Sequence, residues 1–105
     1  MSRCRLKILD RSWSIGVLTA HQFKLRFDQE DDGITLPETR QMYIHEEALN
    51  LATIKHELIH AYYDGLCLSS AMLTTEQQEE VFAELLATYG SIIMSQARSI
   101  LKELK

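Results

Sequence analysis

The most specific chemistry in the chain sits in five residues, His56-Glu57-Leu58-Ile59-His60, an H-E-x-x-H pattern in a stretch that reads as helix. Two histidines four residues apart project from one face of a helix, about 5–6 Å from each other. Their ring nitrogens can therefore reach one Zn²⁺ at bond lengths of about 2.0–2.1 Å. Glu57 follows the first histidine, so its carboxylate flanks the metal position without having to be a ligand. There it can take a proton from an attacking water and pass it to a leaving amine. The chain has four His and ten Glu in 105 residues, and a sequence of that composition contains the pattern by accident in about 1.4% of cases. Two solvated histidines on a surface helix would be the bland alternative. The helix argues against it, because Leu51, Leu58 and Tyr62 form an apolar stripe that Ile54, Ile59 and Ala61 widen. A helix so largely covered leaves its histidines in need of a partner.

A catalytic zinc takes three protein ligands and keeps a fourth position for water. No third histidine follows at the metzincin spacing, since the chain continues Ala61-Tyr62-Tyr63-Asp64-Gly65-Leu66. A carboxylate from a second helix is the alternative, and Glu76, Glu79, Glu80 and Glu84 lie on the last helical stretch. There Val81, Leu85, Tyr89, Ile92 and Ile93 form a large apolar side, while Ala83, Ala87 and Gly90 form a small-residue stripe that would let another helix approach. Glu76 and Glu80 fall on the line of the small stripe, whereas Glu79 points toward the border of the large one. Glu80 is thus the expected third ligand, with Glu79 and Glu84 as competitors. Glu84, one turn on, is placed to orient a ligating histidine.

The elements that must position these groups are read from the pattern. Arg5-Leu6-Lys7-Ile8-Leu9 alternates as a half-buried strand. Ile15–Phe27 reads as a short helix and then a strand over Phe23-Lys24-Leu25-Arg26-Phe27, where alternation returns. Asp28–Gly33 is an acidic turn that does not match a calcium loop. Gln41–His45 reads as a strand just before the long helix, Glu46 to Tyr63, which stops near Asp64-Gly65. A connector, Leu66 to Thr75, leads to the last helix, Glu76 to Leu104. Thr74 or Thr75 caps that helix, with Gln78 closing a box on Thr75. Strands followed by two helices make an α+β fold in one domain, residues 1–105.

Composition bounds the rest. The hydrophobic content of 46% supports a packed core, to which Trp13 and the methionines contribute. A net charge of −4 argues against a general nucleic-acid binder. No apolar window is long enough to cross a membrane, and MSRCRLKILDRSW lacks the apolar core of a signal peptide. Cys4 and Cys67 read as reduced thiols of a cytoplasmic protein rather than a disulfide framework. Oligomeric state is not legible.

The chain resembles the gluzincin metallopeptidases, and more narrowly the small ImmA/IrrE-type and minigluzincin-like peptidases of phages and mobile elements. Thr53-Ile54-Lys55-His56-Glu57-Leu58-Ile59-His60-Ala61 is close to that family's HELxHA segment. Met42-Tyr43-Ile44-His45 matches the strand before it, and Glu80-Val81-Phe82-Ala83-Glu84 matches a carboxylate segment on the following helix. The resemblance covers roughly residues 40–95. It implies a small twisted sheet on the zinc-binding helix, one zinc per chain held by His56, His60 and Glu80, and Glu84 behind the ligands. It also implies Glu57 as general base in hydrolysis of a peptide or protein substrate.

Substrate would lie along an exposed strand edge, for which Gln41–His45 is the candidate. The oxyanion needs a donor besides the metal, and Tyr62, Tyr63, His45 and His21 are the residues available. Two other functions stay open: a zinc-stabilised regulatory or binding module with little turnover, and a structural protein with an accidental H-E-x-x-H.

Overall fold

The computed structural model describes residues 2–28, 31–66 and 73–105. Cys67 and most of the connector after Leu66 lie outside the described residues. Among the described ones the order is β1 (Arg3–Ile8), β2 (Arg11–Leu18), α1 (Ala20–Phe27), β3 (Gly33–Leu36) and β4 (Gln41–His45). A short 3-10 turn (Glu46–Ala48), α2 (Leu51–Gly65) and α3 (Thr75–Leu104) follow. The class is α+β. The four strands form one mixed sheet in the order β1-β2-β4-β3, with β2 and β4 parallel and the other pairs antiparallel.

Alternation along the strands divides the sheet into two faces. Cys4, Ile8, Ile15, Met42 and Ile44 point inward and meet Ile54, Leu58 and Tyr62 of α2 and Ile93, Ala97 and Ile100 of α3. Among the described residues the other face is covered only at one end, where Phe23 of α1 packs with Leu18 and Tyr43. Burial, together with the charge of Glu103, pushes the Cys4 thiol up to about 11, so it is a protonated packing group at neutral pH. Trp13 is buried as expected.

One region departs from the sequence expectation. Residues 11–18 form a strand and residues 20–27 a helix, the reverse of the order expected there. The five residues Phe23-Lys24-Leu25-Arg26-Phe27 satisfy both periods, because Phe23 and Phe27 are four apart as well as alternate. A capping box decides between them: Thr19 Oγ1 accepts from the Gln22 amide at 3.1 Å, and the Thr19 amide donates to Gln22 Oε1 at 3.0 Å. Phe23 is then buried and Leu25 is 73% exposed. The short strand β3 was not expected from the sequence at all.

Helix α2 starts after Asn50, whose side chain accepts from the Thr53 amide at 2.9 Å. It runs through Gly65, which serves space rather than termination. A Cβ there would meet Leu9 Cδ1 at 2.8 Å, and Leu9 sits in the β1–β2 turn with a φ of 50°. Helix α3 begins after Thr74, with Gln77 rather than Gln78 completing the box. Tyr62 joins α2, α3 and β1. Its ring lies 5.4 Å from that of Tyr89, its hydroxyl donates to Gln96 Oε1 at 2.7 Å, and Gln96 Nε2 donates to the Lys7 carbonyl at 2.9 Å.

The helical assignment of residues 20–27 has a direct consequence. Phe23→Ala should cost about 3–5 kcal/mol in urea denaturation, and Leu25→Ala should stay within about 0.5 kcal/mol. Equal losses would restore the strand, in which both residues share a face.

Candidate functional site

Helix α2 presents its residues by face. Ile54, Leu58, Ala61 and Tyr62 face the sheet and α3 and are buried, whereas His56 and His60 are exposed on another side. Glu57 lies between the two regimes. Its side chain is buried at 5% exposure, and it turns toward β3, the strand at the end of the sheet.

The strand meets it with two adapted positions. The Thr35 hydroxyl donates to Glu57 Oε1 at 2.7 Å and lies 3.2 Å from the Glu57 carbonyl oxygen. At Gly33 a Cβ would sit 3.0 Å from Glu57 Cγ and 3.2 Å from Oε2, so the missing side chain leaves the carboxylate its space. Thr35 and Gly33 alternate with Ile34 and Leu36, which pack with the α1 cluster on the other face of the sheet.

The two imidazoles converge. His56 Nε2 and His60 Nε2 are 3.1 Å apart, with the ring centroids 4.7 Å apart and the planes at 79°. Two nitrogens bound at 2.0–2.1 Å to a tetrahedral ion would be about 3.3 Å apart, so the pair fits two corners of such a site. Both histidines line a groove of about 780 Å³ between α2 and the β3 edge, together with Glu57, Thr35, Tyr63 and Asp64. Asp31 and Asp32 line it as well.

Glu80 and Glu84 are not brought to the pair. Both are exposed on α3 and neither lines the groove. At about 100° per residue, Glu80 lies roughly 140–160° around the helix from Ile93 and Ile100, the side chains α3 buries. Helix α3 packs through Leu85, Ile93, Ala97, Ile100 and Leu104, whereas Ile92, expected on the large apolar side, is 49% exposed. The small stripe expected to admit a neighbouring helix is uncovered: Ala83 and Ala87 are exposed, and a Cβ on Gly90 would meet nothing within 4 Å. The first turns of α3, residues 75–84, hold no buried side chain, Glu76 and Glu79 included. Among the described residues, no third His, Cys, Asp or Glu completes a group able to hold a metal ion.

Of the four proposed oxyanion donors only Tyr63 lines the groove. The Tyr62 hydroxyl is spent on Gln96, and burial raises its pKa. His45 Nδ1 accepts from the Glu47 amide at 3.1 Å, capping the 3-10 turn. His21 is exposed on α1, across the sheet. The expected substrate edge is also corrected. Gln41–His45 is an interior strand, bonded to β2 on one side and β3 on the other, and among the described residues the edge open beside the groove belongs to β3.

Sequence reasoning missed Thr35, Gly33, Asp31 and Asp32. The acidic run carried a signal, but it reads equally as a solvated turn. Thr35 carried none, since a threonine two residues before a proline marks nothing until α2 lies beside it. Comparison with known proteins gives no match: no protein-family model, curated protein or solved structure matches the chain.

The Thr35–Glu57 contact makes a measurable claim. Thr35→Val leaves a buried carboxylate without its hydroxyl donor and should cost about 1–3 kcal/mol, whereas Thr35→Ser should be close to the parent. Denaturant titration at neutral pH separates them, and equal stabilities for Val and Ser would remove the hydroxyl from the account.

Proposed function

We propose that the protein is a metal-dependent peptidase in which His56 and His60 hold a zinc ion and Glu57 acts as general base and then acid. The observation that carries this reading is the convergence of the two Nε2 atoms at 3.1 Å beside a buried carboxylate held by Thr35. When bound, the metal supplies a Lewis acid and an acidified water. The chain's own residues supply the rest. The open edge of β3 can take an extended peptide as an added strand, which lays its backbone along the groove past Glu57. Thr35 donates to Oε1 and leaves Glu57 Oε2 free of that bond, so one carboxylate oxygen can accept a proton from the attacking water and deliver it to the departing amine. Tyr63 is the hydroxyl available to a developing oxyanion. Resemblance of residues 53–61 to the gluzincin HELxHA segment supports the same assignment.

A second reading is a zinc-stabilised binding module with little turnover. It is favoured by one observation, the absence of a third donor beside the histidine pair among the described residues. The third position is where the two readings can be parted from the sequence expectation. For Glu80 to serve there, the first turns of α3 must leave their present course and close on the groove.

Glu57→Gln should lower peptide cleavage by about 10²–10⁴-fold, the range for removing a general base, while zinc affinity stays within a few-fold of the parent. Retained cleavage would remove Glu57 from the chemistry, and absence of cleavage in the zinc-loaded parent would favour the binding module. Glu80→Ala should weaken zinc binding less than His60→Ala does. An equal loss would establish Glu80 as a ligand and require that closure of α3.

A further inference from the structure

A net charge of −4 conceals a strong separation of sign. Six of the eleven basic side chains, but only one of the fifteen acidic ones, lie within residues 1–27. From His56 to Ala97 there is no Lys or Arg at all. Arg3, Arg5 and Lys7 of this set lie on the sheet face turned away from α2, α3 and the groove, whereas Arg11 pairs with the inward Ile8.

On β1, Arg3, Arg5 and Lys7 are exposed and alternate with the inward Cys4, Leu6 and Ile8. They therefore share one face, at intervals of about 6.6–6.8 Å. The register sets Arg3 beside Gly16, Arg5 beside Ser14 and Lys7 beside Ser12. Gln41 and Tyr43 continue these rows on β4. None of these row positions is acidic.

The far bank is basic as well. The Arg26 guanidinium of α1 stands 4.5 Å over the Tyr43 ring. That ring and Arg3 Nε flank the space above Gly16, at 3.5 and 3.7 Å from where its Cβ would be. Arg40 adjoins Ser14, whose amide donates to its carbonyl at 3.1 Å. Lys24 is exposed on α1. No carboxylate pairs with any of these cations among the described residues. Asp10, in the β1–β2 turn, is the single acidic residue of the first 27.

We propose that this half-open sheet face binds the phosphodiester backbone of a nucleic acid. A floor of serine hydroxyls and a glycine, bordered on both sides by unpaired cations, offers what phosphate oxygens take: charge and short donors. The occupant is a polyanion with closely and regularly spaced charges, because the β1 cations repeat at a fixed interval along a straight strand. The side chains this face offers on β1 and β2 are cations, serine hydroxyls and a glycine, which fit phosphate oxygens, so the proposed contacts are to the backbone and the binding is insensitive to base sequence. The surface is separate from the groove and does not depend on the peptidase reading.

The test is fluorescence anisotropy of a labelled 25-nucleotide single strand and of the same sequence as a duplex, titrated with the full chain at 50 and 200 mM salt. Four phosphate contacts to a single strand predict a loss of affinity of about 50-fold between the two salts, from a log–log slope near −0.7 per contact. Arg5→Glu/Lys7→Glu should weaken binding at least 10-fold, and the neutral Arg5→Gln/Lys7→Gln by less. Lys102→Glu, on the opposite layer, should leave it unchanged. Melting curves check that the exposed substitutions keep the fold. No saturable binding of either probe at 50 mM salt overturns the proposal, and so does an equal loss with Lys102→Glu. Displacement of the labelled strand by polyglutamate as effective as by unlabelled strand would also overturn it, by assigning the surface to an acidic protein.

Discussion

A carboxylate removed from water needs a hydrogen-bond donor, and the centre of this protein is arranged around one such group. Glu57 is 5% exposed because the faces that bury Leu58 and Ala61 carry it against β3. The strand answers with a hydroxyl at Thr35 and with an empty Cβ position at Gly33. That seam fixes the rotation of α2 about its own axis. With Glu57 turned to β3 and Leu58 to the sheet, His56 and His60 have nowhere to go but the groove wall. Their convergence at 3.1 Å follows from helix geometry once that rotation is set. Tyr62, bonded through Gln96 to the Lys7 carbonyl, holds the other side of the same helix.

The sheet has two unlike faces for a related reason. Both long helices sit on the inner face, so inward strand positions are apolar, whereas the short α1 covers only the end near Leu18 and Tyr43. Over the rest of the outer face the alternate positions are polar, and on β1 they are Arg3, Arg5 and Lys7. The groove, by contrast, carries Asp31, Asp32, Glu57 and Asp64 and, among the described residues, no lysine or arginine. Strand alternation sets the basic outer row of β1, whereas the acidic groove takes its charges from α2 and from the residues just before β3.

Much of this was legible in the sequence, and the reasons differ by element. The H-E-x-x-H spacing is enforced by the pitch of a helix, so His56, Glu57 and His60 could be placed together without coordinates. The long helices were visible because each has enough residues for one period to win, and β4 because its β-formers stand just before a helix. Phe23–Phe27 was misassigned because five residues fit both periods, and the deciding contacts lie outside them, at Thr19 and Gln22. Four residues of β3 are too few for any period. The choice of Glu80 depends on the small-residue stripe of α3 being the side that admits another helix. Helix α3 instead buries Leu85, Ile93 and Ile100, which turns Glu80 away. No local pattern could show that, since it depends on how far along α3 the core extends.

The central claim is that the converged histidines hold a metal. Zinc per chain, determined by elemental analysis on untagged protein after incubation with zinc and exhaustive dialysis, tests it most directly. One zinc per chain, lost in His60→Ala, is the result the histidine geometry predicts. A parent protein that retains none, while folded by circular dichroism, would contradict it and leave the 3.1 Å contact as a hydrogen bond between two surface imidazoles.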